Sequence, residues 1–306
     1  MNRNLLYHYT SSDAFVGMIN GGKTITPNTD YTGGERSLLF WASSVYTMND
    51  PSEMLYGYDI VKEMIKKADK QNKYALLYDQ IEVEEKSGKL LKDHFFNVEK
   101  TPFAISFFQS KETASEEEND EEIFMWSMYG DSGKGVRLGF DEYIKAGKVM
   151  HYESATSAFY LCYDDIAFEK YYFPFLQQQI NESYMTLDSI KDVEKKTLEK
   201  ITFLGSIIPF YCSLLKNPNY KKEHEWRIIT PSHDVSFSEV KIRTRKGLII
   251  PYIEMLVPIK YLKEIIVGPC CDFNLQKRNI ELMLKSYGID METIRIERSE
   301  IPYRNI

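Results

Sequence analysis

Apolar and polar positions recur along the chain with two periods, one near 2 and one near 3.6, which separate strands from helices. Residues 5–9 (LLYHY) read as a short strand, after which Ser11, Ser12 and Asp13 supply capping oxygens for a helix with apolar positions Phe15, Met18 and Ile19. Gly21-Gly22 and Gly33-Gly34 mark turns around a polar loop, and 38–42 (LLFWA) is a second apolar strand. Over 59–82, Ile60, Met64, Ile65 and Ala68, then Tyr74, Leu77, Tyr78 and Ile81, fall at helical spacing between charges. Residues 103–108 (FAISFF) predict a buried strand, 123–129 (IFMWSMY) a short helix ended by the glycines of GDSGKG (130–135), and 136–140 (VRLGF) a further strand. The acidic run 116–122 (EEENDEE) reads as a solvated loop without function, because adjacent polar residues resist desolvation.

Residues 166–216 lack strand alternation and read as two or three helices covering the sheet, the last kinked at Pro209. Strands are expected at 226–230, 248–257, 264–267 and 293–297, with a helix over 274–287. Strands occur in both halves of the chain and no linker rich in Pro, Gly or Ser divides them. The pattern therefore predicts one α+β domain over 1–306 with mixed, mainly antiparallel central sheets and a mainly helical insertion at 155–220.

The composition sharpens this picture in three ways. A length of 306 residues with 43% hydrophobic content suffices for a large core, and no period of 20–50 residues indicates a solenoid. The formal charge of −7 gives no global attraction for a polyanion, although a local basic groove stays open. The longest apolar stretch, 201–215, is 15 residues and interrupted by Gly205 and Pro209, short of the roughly 20 needed to span a bilayer. The opening residues carry no apolar secretory core. Cys162, Cys212, Cys270 and Cys271 have no CxxC spacing, which disfavours a zinc site and a disulfide framework and points to a reducing cytoplasm.

Four constellations are candidates for chemistry. His8-Tyr9-Thr10 at a strand end can offer a ring N–H and hydroxyls to a sugar or phosphate, or simply be satisfied by backbone. Asn49-Asp50-Pro51-Ser52-Glu53 is a turn and helix-capping sequence in which Asn49 or Glu53 can also contact a ligand. Trp126 and Tyr129, three residues apart, share a helical face and can sandwich a planar heterocycle, although core packing is the commoner use of such a stripe. The adjoining GDSGKG lacks the spacing of a phosphate-binding P-loop. In Glu223-His224-Glu225-Trp226-Arg227, alternation puts Glu223, Glu225 and Arg227 on one face, with two carboxylates roughly 6–7 Å apart available for acid-base or cation-stabilising work. Glu225 with Arg227 reads equally as a structural ion pair.

These residues resemble the signature of the mostly bacterial family named domain of unknown function 2971. The similar segments are Leu6 to Ser11, Met48 to Glu53, Ile105 to Phe108, Met125 to Tyr129, Gly135 to Phe140, Glu223 to Arg227 and Ile301 to Arg304, while 155–215 departs from it. The order of landmarks is similar to the ADP-ribosyltransferase fold of the His-Tyr-Glu kind. That resemblance implies NAD as a substrate, with His8 on a ribose, Ser106 at mid-sheet, Trp126 or Tyr129 stacked on nicotinamide and Glu225 driving transfer. Tyr9, Thr10, Asn49 and Arg227 join the expected nucleotide site, Glu223 joins Glu225 and His8 as catalytic, and no metal is expected. The acceptor is a protein or nucleic acid, as for a toxin or phage-defence effector. Two other readings compete: a nuclease with Asp50, Glu53, Glu223 and His8 around Mg²⁺ or Mn²⁺, and a non-catalytic nucleotide sensor.

Overall fold

A computed structural model describes residues 5–25, 35–48, 53–68, 102–109, 116–141, 144–145, 149–151, 154–156, 158–188, 191, 207–231, 235–245 and 247–303. The chain is mixed α+β, built on a mostly antiparallel open sheet. Its main path begins with β13 (Arg295–Arg298), β12 (Leu262–Val267), β5 (Val136–Phe140), β1 (Leu6–Thr10) and β4 (Phe103–Gln109). It continues through β3 (Glu35–Ser44) and β11 (Leu248–Pro258) to β6 (Val149–His151) and β7 (Ser154–Thr156). Only β12 and β13 run parallel, among the described strands. Strands β8 (Ala158–Tyr160) and β9 (Glu225–Thr230) branch off β4, β10 (Lys241–Arg245) forms a hairpin with β11, and the short β2 (Thr24–Ile25) pairs with β3.

Apolar residues on alternate strand positions build a core on each side of this sheet. On one side, Leu6, Leu138, Phe140, Ile105, Phe107, Phe40 and Met255 meet helix α1 (Ser12–Gly21) through Phe15, Met18 and Ile19. The expected cap is in place, with Ser11 Oγ accepting from the Ala14 N–H at 3.1 Å. On the other side, Ala104 and Ile229 meet α2 (Glu53–Ala68), α4 (Asp165–Tyr171), α5 (Phe173–Asp188) and the helical turn at 207–212. Helix α6 (Phe273–Ser286) packs Ile280 and Leu284 into the first core. Residues 69–82 of the expected long helix and most of 189–206 upstream of Pro209 lie outside the described residues.

Two expectations change. The acidic run is not a loop: it forms the first turns of α3 (Glu116–Met128), where carboxylates are favoured by the helix dipole. Glu121 is buried, and Glu122 pairs with Arg137 at 2.7 Å, so the run ties the helix to the sheet. The expected helical insertion starts with strand: 154–156 and 158–160 belong to the sheet. The helices leave at Cys162 and return beside it, where Cys162 N donates to Leu214 O at 2.8 Å and Lys216 N donates to Cys162 O at 2.9 Å. No helix of the described residues is long and apolar enough to cross a membrane.

Candidate functional site

Strand β4 has one edge fully paired with β9, from Phe103↔Thr230 to Phe108↔Glu225. Its other edge is divided: β1 pairs only at Leu6↔Gln109 and Tyr7↔Phe108, and β3 only at Ser43↔Ala104 and Ser44↔Phe103. Between them, residues 105–107 have no strand partner on that edge among the described residues. The half-buried backbone carbonyl of Ser106 takes its donor from elsewhere, and His8 supplies it through Nδ1, 2.9 Å from Ser106 O. An imidazole donating from Nδ1 to a carbonyl keeps Nε2 as an acceptor while neutral. Burial lowers the His8 pKa, against the smaller raising effect of the Ser106 carbonyl, and so favours that neutral form. The ring packs on Phe40 at 5.1 Å and Phe107 at 5.8 Å.

A cleft of about 650 Å³ opens at this seam. Its wall includes His8, Tyr9, Thr10, Ser106, Tyr129, Glu223, Glu225 and Arg227 from the expected site, together with Lys216. Asn49, Asp50 and the Glu53 side chain lie outside the described residues. Trp126 does not line the cleft. It is fully buried, its ring set edge-on to Tyr9 at 5.0 Å, because the register of α3 turns it into the core that Tyr9, Phe108 and Ile266 build. Tyr129 is the ring of that pair which reaches the cleft, so the indole is core and not a stacking surface.

The alternation expected over 223–227 is also corrected. Strand β9 starts only at Glu225; Glu223 ends a 3-10 turn (Pro218–Glu223), and His224, with φ of 39°, reverses the chain between them. The two carboxylates still converge, through a lysine. Lys216 Nζ donates to Glu223 Oε2 at 2.5 Å and to Glu225 Oε2 at 2.6 Å. Tyr129 OH donates to Glu223 Oε1 at 2.9 Å. Arg227 grips Glu225 from Nε at 2.6 Å and Nη2 at 3.1 Å, and its Nη1 donates to Ser213 O at 3.2 Å. All four charged residues of this cluster are buried.

Two acids and two bases cancel in charge, but the acids are not equivalent. Burial acts to raise the Glu225 pKa, yet Arg227 and then Lys216 outweigh it and hold the carboxyl well below the usual range. Glu223 moves the other way: burial and the neighbouring Glu225 charge raise it, against Lys216 and the Tyr129 hydroxyl. Unequal pKa values in a carboxylate pair are the arrangement that lets one group stay ionised while the other exchanges a proton. Among the described residues, no group of three or more His, Cys, Asp or Glu side chains could hold a metal ion. Lys216 escapes sequence reasoning, since its position is set by the return of the chain to Cys162; its sequence signal is a lone cation ending an apolar run ten residues before Trp226, a spacing that carries no motif.

This site sits in an α+β chain with an open, mostly antiparallel sheet. Residues 125–228 match the model of the family described as protein of unknown function DUF2971, the family that the motifs resemble. The match covers the α3 motif, β5 and the Glu223 to Arg227 segment, and it runs through 155–215, the stretch expected to depart from the family. No curated protein and no solved structure matches the chain.

Proposed function

We propose that this protein binds NAD in the cleft and transfers or releases its ADP-ribosyl group. The observation that carries the reading is the meeting of His8, Tyr129 and the Glu223–Glu225 pair on one cleft of about 650 Å³, within the size range of small-molecule and cofactor sites. In the proposed step the bond from ribose C1′ to nicotinamide nitrogen breaks, and its electron pair leaves with nicotinamide. An acceptor O–H or N–H forms the new bond to C1′ and its proton passes to Glu223, whose raised pKa suits a proton acceptor. Glu225, kept ionised, stabilises the oxocarbenium-like cation. His8 Nε2 accepts from a ribose hydroxyl, and the Tyr129 ring borders the nicotinamide. The acceptor is a protein, a nucleic acid or water, and the setting is the reducing cytoplasm, where an NAD-consuming toxin or phage-defence effector would act. The four free cysteines agree with that compartment.

The test is nicotinamide release from labelled NAD by the wild type, Glu225→Gln and Glu223→Gln, with folding checked by circular dichroism and chelator present in a parallel arm. Release lost in a folded Glu225→Gln supports the reading; release unchanged overturns it, as does chelator-sensitive cleavage of nucleic acid. One observation favours a second reading. Glu225 is bound by two cations at once, which suits a structural anchor in a nucleotide-binding sensor without turnover. Saturable NAD binding with no nicotinamide release would select it.

A further inference from the structure

We infer that the β10–β11 hairpin carries a diphosphate subsite on the cleft, with Arg243 and Arg245 as its donors. In the hairpin Arg243 pairs with Ile250 and Arg245 with Leu248, so alternation sets Lys241, Arg243 and Arg245 on one face. Lys241 is taken by Glu254 at 2.7 Å. The two arginines are not so compensated: among the described residues, no carboxylate lies within ion-pair distance of either. Arg243 donates from Nη2 to Ser43 Oγ at 2.8 Å, while its buried Nε has no acceptor among the described residues. Arg243, Arg245, Ser43 and Trp41 all line the cleft.

A half-buried guanidinium with an unsatisfied donor and a like charge beside it is unfavourable until an anion arrives. Burial, and then the neighbouring Arg245, lower the Arg243 pKa, as that situation requires. Guanidinium forks match phosphate oxygens bidentately. Two of them two residues apart on a strand, roughly 6–7 Å, reach the oxygens of two linked phosphates better than those of one carboxylate. Trp41, 46% exposed, borders the same wall, with the Arg243 guanidinium 5.6 Å from its ring. The ring packs on Tyr252 at 4.9 Å and offers its exposed part to a base attached to the diphosphate. The inference deepens the nucleotide reading above, and the naming of the ligand as a nucleoside diphosphate unit rests on it.

Isothermal titration at low salt with inorganic pyrophosphate, ADP and a ten-residue oligothymidylate tests it on the wild type, Arg243→Gln, the Arg243→Gln/Arg245→Gln pair, Trp41→Ala and Lys241→Gln. Pyrophosphate and ADP should bind the wild type, weaken at least tenfold in Arg243→Gln and be lost in the pair, with Lys241→Gln unchanged. The advantage of ADP over pyrophosphate should vanish in Trp41→Ala. Wild type that ignores pyrophosphate, or a folded double variant that still binds it, overturns the subsite. Oligothymidylate binding tighter than ADP overturns the diphosphate assignment in favour of a nucleic-acid strand. Pyrophosphate binding needs no turnover, so intact binding without nicotinamide release rejects the enzymatic reading and leaves the subsite standing, while release with no effect of the arginine variants does the reverse.

Discussion

Lys216→Met removes the cation that bonds both carboxylates while keeping most of the buried stem. Glu225 retains Arg227 on two nitrogens, so the damage falls on Glu223, left with the Tyr129 hydroxyl and facing the Glu225 charge. Breaking a buried ion pair by deleting one partner costs about 3–5 kcal/mol, and the lower end applies because Glu223 can relieve itself by taking a proton. At about 2 °C per kcal/mol for a chain of this size, the midpoint of thermal unfolding should fall by about 6 °C near neutral pH.

The pH dependence has a definite sign. A raised folded pKa, as at Glu223, gives stability that is fully present below the unfolded carboxyl value of about 4.3 and is lost as pH rises through the folded value. A depressed one, as at Glu225, gives stability present above about 4.3 and lost as pH falls through the folded value. In Lys216→Met the Glu223 pKa rises further, so its proton is retained to higher pH. The deficit against wild type should therefore be larger at pH 8 than at pH 5. Thermal melts followed by circular dichroism at both pH values measure this. Midpoints within a degree of wild type at both, or a deficit that grows on acidification, would refute the account of the cluster.

Three further outcomes follow from the geometry. His8→Phe keeps a ring against Phe40 and Phe107 but leaves the half-buried Ser106 O without its donor, at a cost of about 1 kcal/mol in urea unfolding. Because burial lowers the folded His8 pKa, wild-type stability should fall as pH drops below about 6.5, and His8→Phe should flatten that limb. Trp126→Ala should lose about 3–5 kcal/mol, whereas Trp126→Phe, which gives up an indole N–H that has no partner among the described residues, should lose far less and leave NAD titration unchanged. Gly135→Ala would set a methyl 2.0 Å from Thr10 O, so a loss above about 2 kcal/mol is expected in the same unfolding assay.

The elements that could be read from sequence are those whose apolar period is unbroken and whose ends are marked chemically. Helix α1 is one, with Ser11 before it and Phe15, Met18 and Ile19 on one face; β4, β9 and α6 are others. The acidic run misled because its polarity hides the first turns of α3, where Glu121 is buried and Glu122 pairs with Arg137. Strand β10 was missed since its apolar positions are few, yet the alternating basic residues Lys241, Arg243 and Arg245 were a usable signal of a charged strand face. Of the site, His8, Tyr129, Glu223 and Glu225 are legible from residue type and local spacing. Lys216 is not, because its place depends on Leu215 meeting Cys162 across an excursion of more than fifty residues.

What no local pattern can report is an interruption in the sheet, and the cleft depends on one. Tyr7 pairs with Phe108 and Phe108 with Glu225, so these three side chains share a face. His8, the neighbour of Tyr7, therefore starts from the opposite face, alongside Leu138 in the first core. In a continuous sheet that parity would keep His8 and Glu225 apart. Here β1 and β3 leave β4 at different ends, residues 105–107 have an open edge, and the His8 ring turns into the gap to reach Ser106 O. The cleft consequently crosses the sheet at a seam instead of lying on one face, which is how residues of opposite parity come to line it together. Any ligand that touches both His8 and Glu225 must enter this seam, so the geometry of strand divergence, more than the identity of either residue, sets what the site admits.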